Sequence, residues 1–468
     1  MIAASFQTIE WVFLLYFVAI NVAYLLQNVL AIRCIRGYIR SSTIDAYDPA
    51  YSTVHLPISL VVPAYNESAS IVTSVKALLQ LEYPDFEVIV VNDGSKDDTL
   101  EKLIDAFQLV PYPEAYRIQV PCKPVRATYR SLRYRNLRVV DKENGGCKAD
   151  ASNAGINICR YPLVTIVDAD GVLQRDSLTR AVRPFLERPE TVAAGGAIRI
   201  ANGCRLRNGF LEEVRLPRNF LALIQVLEYL RAFLFGRMGW EPIGAVLIVS
   251  GAFGVFRRTT LIDVGGFNSQ AVGEDMELIT RIHRKMKQQR RRYHIGFIPD
   301  PVCWTDAPEN LKDLGSQRTR WHHGLGQAVM LNKWLIGNPR GGTVSWLAIP
   351  FYLLFELLGP IIEAIGFVFF VSAALFGLIA WFDAGVFLLL SLSLGLLLSV
   401  SAIMLEEFSF PMYRKPRELA LLYAAALLEN FGYRQLTVWW RLKGFFRWIS
   451  GRQHRWETIT RSASVSTG

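Results

Sequence analysis

Cysteine is scarce in this chain: six occur among 468 residues. They are scattered, and no two stand in a C-x-x-C pair, so the sequence has no zinc-binding spacing. Such scatter is typical of a reduced, cytosolic setting, and we expect no disulfides. Acidic residues are in deficit as well, with 41 Asp and Glu against 51 Lys and Arg and a net charge of +10.

The basic excess alone would also suit a nucleic-acid-binding protein. Here, however, several basic clusters flank apolar runs, which favours a membrane surface, so we expect membrane lipids and no nucleic acid as partners. Hydrophobic residues make up 51% of the chain, and the mean hydropathy is +0.23. Membrane segments are therefore expected, and the length exceeds one ordinary soluble domain.

The first apolar run covers residues 11–32 and is long enough to span a bilayer. No small-residue cleavage site follows it, so we interpret it as an anchor instead of a signal peptide. Arg33, Arg36 and Arg40 come next, which places the following residues in the cytoplasm. The alternative is a buried helix of a soluble domain.

A second apolar region begins at Thr343. A single helix over residues 343–380 would be about 57 Å long, more than one bilayer crossing, and Gly359-Pro360 offers a break. We expect an interfacial or short spanning helix there, then spans over residues 361–380 and 386–404. Residues 418–442 either span or lie along the interface. The basic end of the chain favours a cytoplasmic C-terminus, which requires an even number of spans after residue 343.

These segments divide the chain into four predicted parts. They are an N-terminal transmembrane anchor (1–40), a cytosolic domain (41–335), transmembrane and interfacial helices (336–445) and a basic cytosolic tail (446–468).

An α/β alternation begins the cytosolic part. Strands are predicted over residues 58–62 and 86–91, and helices over 68–80 and 96–107, which favours a parallel sheet with helices on both faces. Ligands bind such sheets at the carboxyl ends of the strands. Polar clusters occur at both predicted strand ends, at residues 63–67 and 92–99, and helix capping explains only part of each.

The apolar strand predicted at residues 163–167 ends in two carboxylates, Asp168 and Asp170. Side chains two residues apart on a strand point the same way, so both can be aimed at one hard cation. A divalent ion held there could bridge a substrate diphosphate. The alternative is a polar turn after a buried strand.

Two further segments leave alternatives open. The arginine-rich residues 108–140 interrupt the α/β alternation, and a solvated loop is favoured over a surface for lipid headgroups or phosphates. The apolar residues 219–235 suit the membrane surface and a protein core equally well.

Four short motifs contain further chemistry. Lys148 follows a glycine turn at a predicted helix start and could face an anion. Residues 250–254 form a small-residue loop that lets another chain approach, or a simple buried turn. The carboxylates of Glu274 and Asp275 open a helix, as caps or as a catalytic base. On a helix over residues 317–324, Arg320 suits a diphosphate and Trp321 suits the apolar face of a sugar.

The order of these motifs resembles that of the membrane-embedded inverting glycosyltransferases of family 2, which include hyaluronan, cellulose, chitin and poly-N-acetylglucosamine synthases. The resemblance runs from about residue 57 to residue 321, and its most specific part is Q-x-x-R-W at residues 317–321, after D-x-D and G-E-D. Cys147 and the insert at 108–140 depart from the family pattern. The resemblance implies an α/β fold of GT-A type, with a Rossmann-like, mostly parallel sheet, plus transmembrane and interfacial helices.

The resemblance also implies roles for individual residues. Asp275 would be the general base, with Glu274 beside it in the catalytic pair. Asp170, with Asp168, would bind Mg²⁺ or Mn²⁺. The donor would be bound by residues from all the strand-end motifs: Pro63, Tyr65, Glu67, Asp93, Lys148, Asp168, Asp170, Gln317 and Arg320. The acceptor would be bound by Trp321, Ser250, Gly251 and Phe253.

The implied activity is inverting β-transfer of a sugar from a UDP-sugar to a growing polysaccharide. It would occur at the cytoplasmic face of the inner (plasma) membrane in a multi-pass protein, with export through its own helices as an extension. The alternative is a non-processive transferase that glycosylates a lipid or a short acceptor. A receptor that only binds nucleotide sugars is a third possibility, which the presence of Asp170, Asp275 and Arg320 disfavours. The sequence does not fix the sugar or the oligomeric state.

Overall fold

The computed structural model describes residues 2–45, 55–377 and 381–451. Its helices, in chain order, are α1 (Ile2–Asp45), α2 (Ile71–Leu78), α3 (Thr99–Phe107), α4 (Lys148–Ile158), α5 (Ser177–Glu187), α6 (Phe220–Leu230), α7 (Arg258–Val264), α8 (Glu274–Gln288), α9 (Leu311–Leu331), α10 (Ile349–Phe351), α11 (Gly359–Leu375), α12 (Trp381–Ser409), α13 (Pro416–Leu428) and α14 (Tyr433–Ile449). Its strands are β1 (Ile58–Ala64), β2 (Phe86–Asn92), β3 (Leu109–Pro111), β4 (Val125–Ser131), β5 (Leu137–Lys142), β6 (Leu163–Val167), β7 (Val172–Leu173), β8 (Thr191–Ile200), β9 (Arg205–Arg207), β10 (Phe210–Glu213), β11 (Phe253–Arg257) and β12 (His294–Thr305).

Ten of these strands form one mixed sheet in the order β3-β4-β5-β2-β1-β6-β11-β8-β12-β7. Its centre, β5-β2-β1-β6, is parallel, and antiparallel strands extend it on both sides. Along β1, Leu60 and Val62 enter the core on one face of the sheet and Val61 enters the core on the other. The predicted GT-A architecture is confirmed, and the first two predicted strands and helices occur where the sequence places them.

The prediction of a solvated loop at residues 108–140 is wrong. The segment contributes β3, β4 and β5 to the edge of the sheet. Arg138 is buried on β5, where its guanidinium pairs with Glu87 and also donates 3.1 Å hydrogen bonds to both carboxylate oxygens of Glu114. The arginine composition suggested solvent because these carboxylates are distant in sequence and only the fold brings them together.

The apolar segment 219–235 belongs to the core. Helix α6 begins at Phe220 and is capped by Asn219, whose side chain accepts hydrogen bonds from two backbone N–H groups of the first turn. The helix continues into π-helical residues Arg231–Phe235, and most side chains of both parts are buried against β8, α12 and α13. The sequence left core and membrane surface equally open because both require an apolar face.

Among the described residues, two helices are long and apolar enough to cross a membrane, at Thr8–Arg40 and Leu392–Ser409. A third crossing is possible if Val344–Leu357 and Gly359–Leu375, which meet at a bend of 43°, count as one broken span. The bend lies where Gly359-Pro360 predicts a break. Residues 418–442 fall in α13 and α14, neither of which meets the same length and hydropathy criteria. Helix α14 continues to Ile449, and residues 452–468 of the predicted tail lie outside the described residues.

Polar contacts join the α/β domain to the apolar helices. The guanidinium of Arg231 pairs with Glu429 through both carboxylate oxygens and also contacts Ser399 of α12, whose hydroxyl donates to Glu429 over 2.5 Å. Arg199 of β8 forms a second buried ion pair, with Glu406 of α12. Because removing one partner of a buried ion pair is costly, these contacts fix the sheet against α12.

The buried position of Arg138 yields a test of the fold. Replacing Arg138 with Met would leave the buried Glu87 carboxylate without its cation, and we expect a loss of about 3–5 kcal/mol in the free energy of unfolding. Thermal unfolding of the purified protein measures the change. Arg126→Met, on the exposed side of β4, is the matched control and should change stability by about 0.5 kcal/mol or less. Equal effects of the two substitutions would contradict the buried ion pair.

Candidate active site

A cavity of about 2430 Å³ opens at the carboxyl ends of β1, β2 and β6. It continues past α9 and between the apolar helices, where Phe17 of α1 and Gly366 of α11 line it. With one exception, every site residue predicted from sequence lines this cavity: Pro63, Tyr65, Glu67, Asp93, Lys148, Asp168, Asp170, Ser250, Gly251, Glu274, Asp275, Gln317, Arg320 and Trp321. The fold therefore gathers motifs that are separated by more than 250 residues.

The exception is Phe253. Its side chain is fully buried in the hydrophobic core, because β11 lies between β6 and β8 and the alternation of the strand turns this residue away from the cavity. The expectation that Phe253 contacts an acceptor is therefore corrected. Ala252, its neighbour, lines the cavity instead.

The two polar clusters after β1 and β2 are joined to each other. The backbone N–H of Asn66 donates to the hydroxyl of Ser95 over 3.1 Å, and the Asn66 side chain accepts from the N–H of Lys96 over 2.9 Å. Asn66 has a positive φ of 56°, a conformation that asparagine tolerates well. Helix capping was the competing explanation for these clusters, and the structure shows that they also hold each other in place.

Asp93 organises the glycine turn of the next motif. Its carboxylate accepts hydrogen bonds from the buried ammonium of Lys142 over 2.5 Å and from the N–H of Gly145 over 3.0 Å. Lys142 also pairs with Asp150 at 2.6 Å. Burial would lower the pKa of Lys142, but Asp150 and Asp93 outweigh burial and raise it. Sequence reasoning missed Lys142, since a lysine at the end of a strand gives no local signal.

Lys148 links the two carboxylate motifs. It is the first residue of α4, and its ammonium pairs with Asp168 and donates to the carbonyl of Gly251 over 2.7 Å. The N–H of Gly251 in turn donates to Asp275 over 3.1 Å. A continuous chain of contacts therefore runs from Asp168 to Asp275, and Cys147 does not displace Lys148 from it.

Close packing positions Lys148. Helix α4 lies so near β1 that a Cβ on Gly155 would overlap with the side chain of Val61. The residues of α4 that follow Lys148 are buried throughout. The ammonium is therefore presented by a rigid element at the carboxyl edge of the sheet.

Electrostatics in this corner are dominated by burial and by the carboxylates. Burial, reinforced by the charge of Asp275, raises the pKa of Glu274 to about 7. Burial alone would lower the pKa of Lys148, but Asp168 and Glu274 outweigh it, so the pKa of Lys148 is raised and the ammonium stays charged.

Asp168 and Asp170 fit a divalent metal ion that is shared with a substrate. Within residues 2–45, 55–377 and 381–451, no group of three or more His, Cys, Asp or Glu side chains is arranged to hold a metal alone. Mg²⁺ characteristically uses one or two carboxylates and completes its shell with water and substrate phosphates. The donor set is therefore compatible with Mg²⁺ or Mn²⁺ bound together with a diphosphate.

The Q-x-x-R-W motif lies on α9, as predicted, and places Gln317, Arg320 and Trp321 at the cavity. Its remaining arginine, Arg318, was given no role from sequence. Arg318 pairs with Glu228 of α6, and its guanidinium carbon is 4.2 Å from the centre of the Trp321 ring. Arg318 therefore fixes the orientation of a tryptophan that is 46% exposed to the cavity.

A second set of cavity residues was missed because it joins helices that are far apart in sequence. The hydroxyl of Tyr24 donates to Glu356 over 2.6 Å, and Arg441 donates to the other oxygen of Glu356 over 2.9 Å. Arg441 also donates to His322 on α9 over 3.4 Å. These contacts join the Q-x-x-R-W helix to α1 and α14.

Two protein-family models match the part of the chain that forms the sheet and the cavity. A family model described as glycosyl transferase family 2 matches residues 59–263. A second model, described as glycosyl transferase family group 2, matches residues 163–398, about half of the chain.

The curated relatives include synthases of one polysaccharide. A poly-beta-1,6-N-acetyl-D-glucosamine synthase of Staphylococcus epidermidis is 27% identical over 277 residues, which are 59% of this chain and 56% of the relative. A synthase of the same name from Staphylococcus aureus (strain COL) is 28% identical over 299 residues, 64% of this chain and 60% of the relative. The matched region therefore spans less than two thirds of either relative.

Among solved structures, a mannosyltransferase from Pyrobaculum calidifontis, in complex with GDP-Man and Mn²⁺, is similar in fold. Its TM-score is 0.52 at 17% sequence identity, and the match covers 92% of this chain and 99% of the mannosyltransferase. The similarity in fold therefore covers most of the chain, including residues outside the sheet.

The raised pKa of Glu274 predicts how stability depends on pH. Because the folded-state pKa, about 7, lies above the ordinary value of 4.5, the folded protein favours the protonated form. The associated stability is present below pH 4.5 and is lost as the pH rises through 7. Glu274→Gln should therefore gain stability relative to the wild type between pH 5 and pH 8, by roughly 3 kcal/mol at most.

Thermal unfolding in EDTA across this pH range measures the effect. The control is Glu101→Gln, an exposed position on α3 that should show no pH-dependent difference. A constant difference between the wild type and Glu274→Gln from pH 5 to pH 8 would refute the assignment.

Proposed function

The chain belongs to glycosyl transferase family group 2, and we propose that it transfers a sugar from a UDP-sugar to a growing polysaccharide, with inversion, at the cytoplasmic face of a membrane. The observation that carries the proposal is the convergence of Asp168, Asp170, Asp275, Arg320 and Trp321 on one cavity. The family supplies the reaction class. The name of the curated relatives supports a polysaccharide product, with N-acetylglucosamine as the first sugar to test.

The donor is bound at the carboxyl edge of the sheet. Tyr65, Glu67 and Asp93 lie at the end where the nucleoside would be held. Arg320 presents a planar set of N–H donors that matches diphosphate oxygens. Mg²⁺ or Mn²⁺, held by Asp170 and Asp168, would neutralise charge that develops on the leaving diphosphate. Lys148 adds a second positive charge and holds Asp168 in place.

Asp275 is the general base in this proposal. The N–H of Gly251 holds one of its carboxylate oxygens over 3.1 Å, and the N–H of Met276 holds the other over 2.8 Å, which fixes the orientation of the group. Asp275 accepts the proton of the acceptor hydroxyl as its oxygen attacks the anomeric carbon. The bond between that carbon and the diphosphate oxygen breaks, and UDP leaves. A single displacement inverts the configuration, so an α-linked donor gives a β-linked product. Glu274 lies beside Asp275 in the catalytic pair, and its carboxylate contributes to the raised pKa of Lys148.

The acceptor lies on the membrane side of Asp275. Trp321 offers an apolar face for a sugar ring, and Ser250 and Gly251 form the small-residue loop opposite. The cavity then continues between α1, α11 and α12. Ion pairs line this region, and they support the proposal of a polar passage, since charged groups are costly in lipid. Export of the product through this passage is part of the proposal.

Release of UDP by the purified protein tests the proposal. The full chain, in nanodiscs with Mn²⁺, is given UDP-N-acetylglucosamine, UDP-glucose or UDP-glucuronate, and the products are sized. We expect release with one of these sugars and a long product. A single sugar added to a lipid would instead support the non-processive alternative. UDP binding without release from any donor would overturn the proposal in favour of a binding protein.

Asp275→Asn tests the base. The amide keeps the shape of the side chain but cannot accept the proton, so we expect transfer to fall by about 10²–10⁴-fold while UDP affinity stays within about twofold. Initial rates of transfer and calorimetric UDP binding provide the two measurements. Asp263→Asn, at an exposed ion pair with Arg291, is the matched control. A parallel loss of transfer and UDP binding would contradict the role of Asp275.

Asp170→Ala tests the metal site. Loss of this ligand should remove the part of UDP affinity that depends on Mn²⁺, so that binding with Mn²⁺ approaches binding in EDTA. Calorimetric titration of UDP with and without the metal makes the comparison. Asp105→Ala, exposed on α3, should retain the full metal dependence. If Asp170→Ala retains it too, the metal is held elsewhere.

A further inference from the structure

Arg237 is a cation of the cavity that sequence reasoning did not single out. It follows the π-helical residues Arg231–Phe235 and lines the cavity. Its guanidinium carbon lies 3.7 Å from the centre of the Phe233 ring. The Nη1 atom is buried and has no hydrogen-bond partner within the described part of the chain.

Other cations around the cavity are paired with carboxylates. The pairs are Lys148 with Asp168, Arg231 with Glu429, Arg318 with Glu228, Arg434 with Glu363, and Arg441 with Glu356. No carboxylate among the described residues forms a salt bridge with Arg237. A buried N–H donor without an acceptor is costly, so the unpaired Nη1 of Arg237 at the cavity points to a ligand oxygen that completes it.

The position of Arg237 relates it to the reaction centre. Burial lowers the pKa of Arg237, and the negative charge of Asp275 acts in the opposite direction, so Asp275 lies within electrostatic reach. Two residues later, Gly239 meets the backbone of α1 so closely that a Cβ there would be 2.8 Å from the carbonyl oxygen of Gln27. The segment is therefore fixed between Asp275 and the membrane helices.

We propose that Arg237 binds the acceptor saccharide, by donating hydrogen bonds to its hydroxyl or carbonyl oxygens beside Asp275. The inference rests on the proposed glycosyl transfer. A guanidinium has five N–H donors and no acceptor, so its complement is an oxygen-rich ligand. At the donor end, Lys148 and Arg320 already serve the diphosphate. Arg237 instead packs on Phe233, two residues before Gly239 meets α1, on the side that we assign to the acceptor.

The experiment compares two fates of the donor sugar, which is either transferred to the polymer or released as free sugar by hydrolysis. Wild-type protein and Arg237→Met, in nanodiscs with Mn²⁺, receive labelled UDP-N-acetylglucosamine, or whichever UDP-sugar supports wild-type release. Polymer and free sugar are then quantified, together with UDP affinity. We expect the polymer-to-free-sugar ratio to fall at least tenfold in Arg237→Met while UDP affinity stays within about twofold. Arg237→Lys, which keeps the charge but not the planar fork, should recover part of the ratio.

The controls separate the possible failures. Arg207→Met, on the exposed β9–β10 hairpin, should match the wild type. If wild-type protein releases no UDP from any donor, this result refutes the proposed glycosyl transfer itself and not only the role of Arg237. If the wild type is active, an unchanged ratio in Arg237→Met or a parallel loss of UDP affinity overturns the acceptor role. Should Arg237→Met fail to fold, Arg237→Lys decides, because a ratio equal to that of the wild type would mean that the planar guanidinium fork is not what binds the acceptor.

Discussion

The site depends on one partly buried ammonium group. Lys148 contacts Asp168 and the carbonyl of Gly251, and the N–H of Gly251 holds Asp275. Without that positive charge, the carboxylates of Asp168, Glu274 and Asp275 would repel one another, since like charges at short range favour neutralisation. With it, the carboxylates that we propose for metal binding and for proton transfer coexist at the carboxyl edge of a single sheet. The close packing of α4 on β1 gives the ammonium its fixed position.

Much of this arrangement could be predicted because the relevant signals are local. The β-branched run before Asp168 forms β6, and the Q-x-x-R-W spacing gives one face of α9. The errors and omissions concern residues whose environment depends on segments that are distant in sequence. The strand that contains Arg138 was missed because its partners, Glu87 and Glu114, are supplied by the fold, and Phe253 was misplaced because burial depends on the neighbouring strands.

The membrane-side half of the cavity is beyond local prediction for the same reason. Its polar contacts connect elements separated by hundreds of residues, as when Tyr24 of α1 reaches Glu356. In an apolar helix, a single tyrosine is compatible with lipid, protein or water, and a single glutamate does not tell whether it faces protein or water. Only the joint position of α1, α9 and α14 distinguishes these environments, and the cavity that they line also reaches Asp168 and Asp275.

The triad of Arg231, Ser399 and Glu429 has a consequence for biogenesis. Glu429 follows Arg231 by 198 residues, so the ribosome has finished the whole sheet long before this carboxylate emerges. A nascent chain thus carries Arg231 without this carboxylate until α13 is in place. Because domains generally fold from the N-terminus during synthesis, the sheet can form first and its contact with α12 and α13 is completed last, and a chain truncated before α13 would leave Arg231 without Glu429.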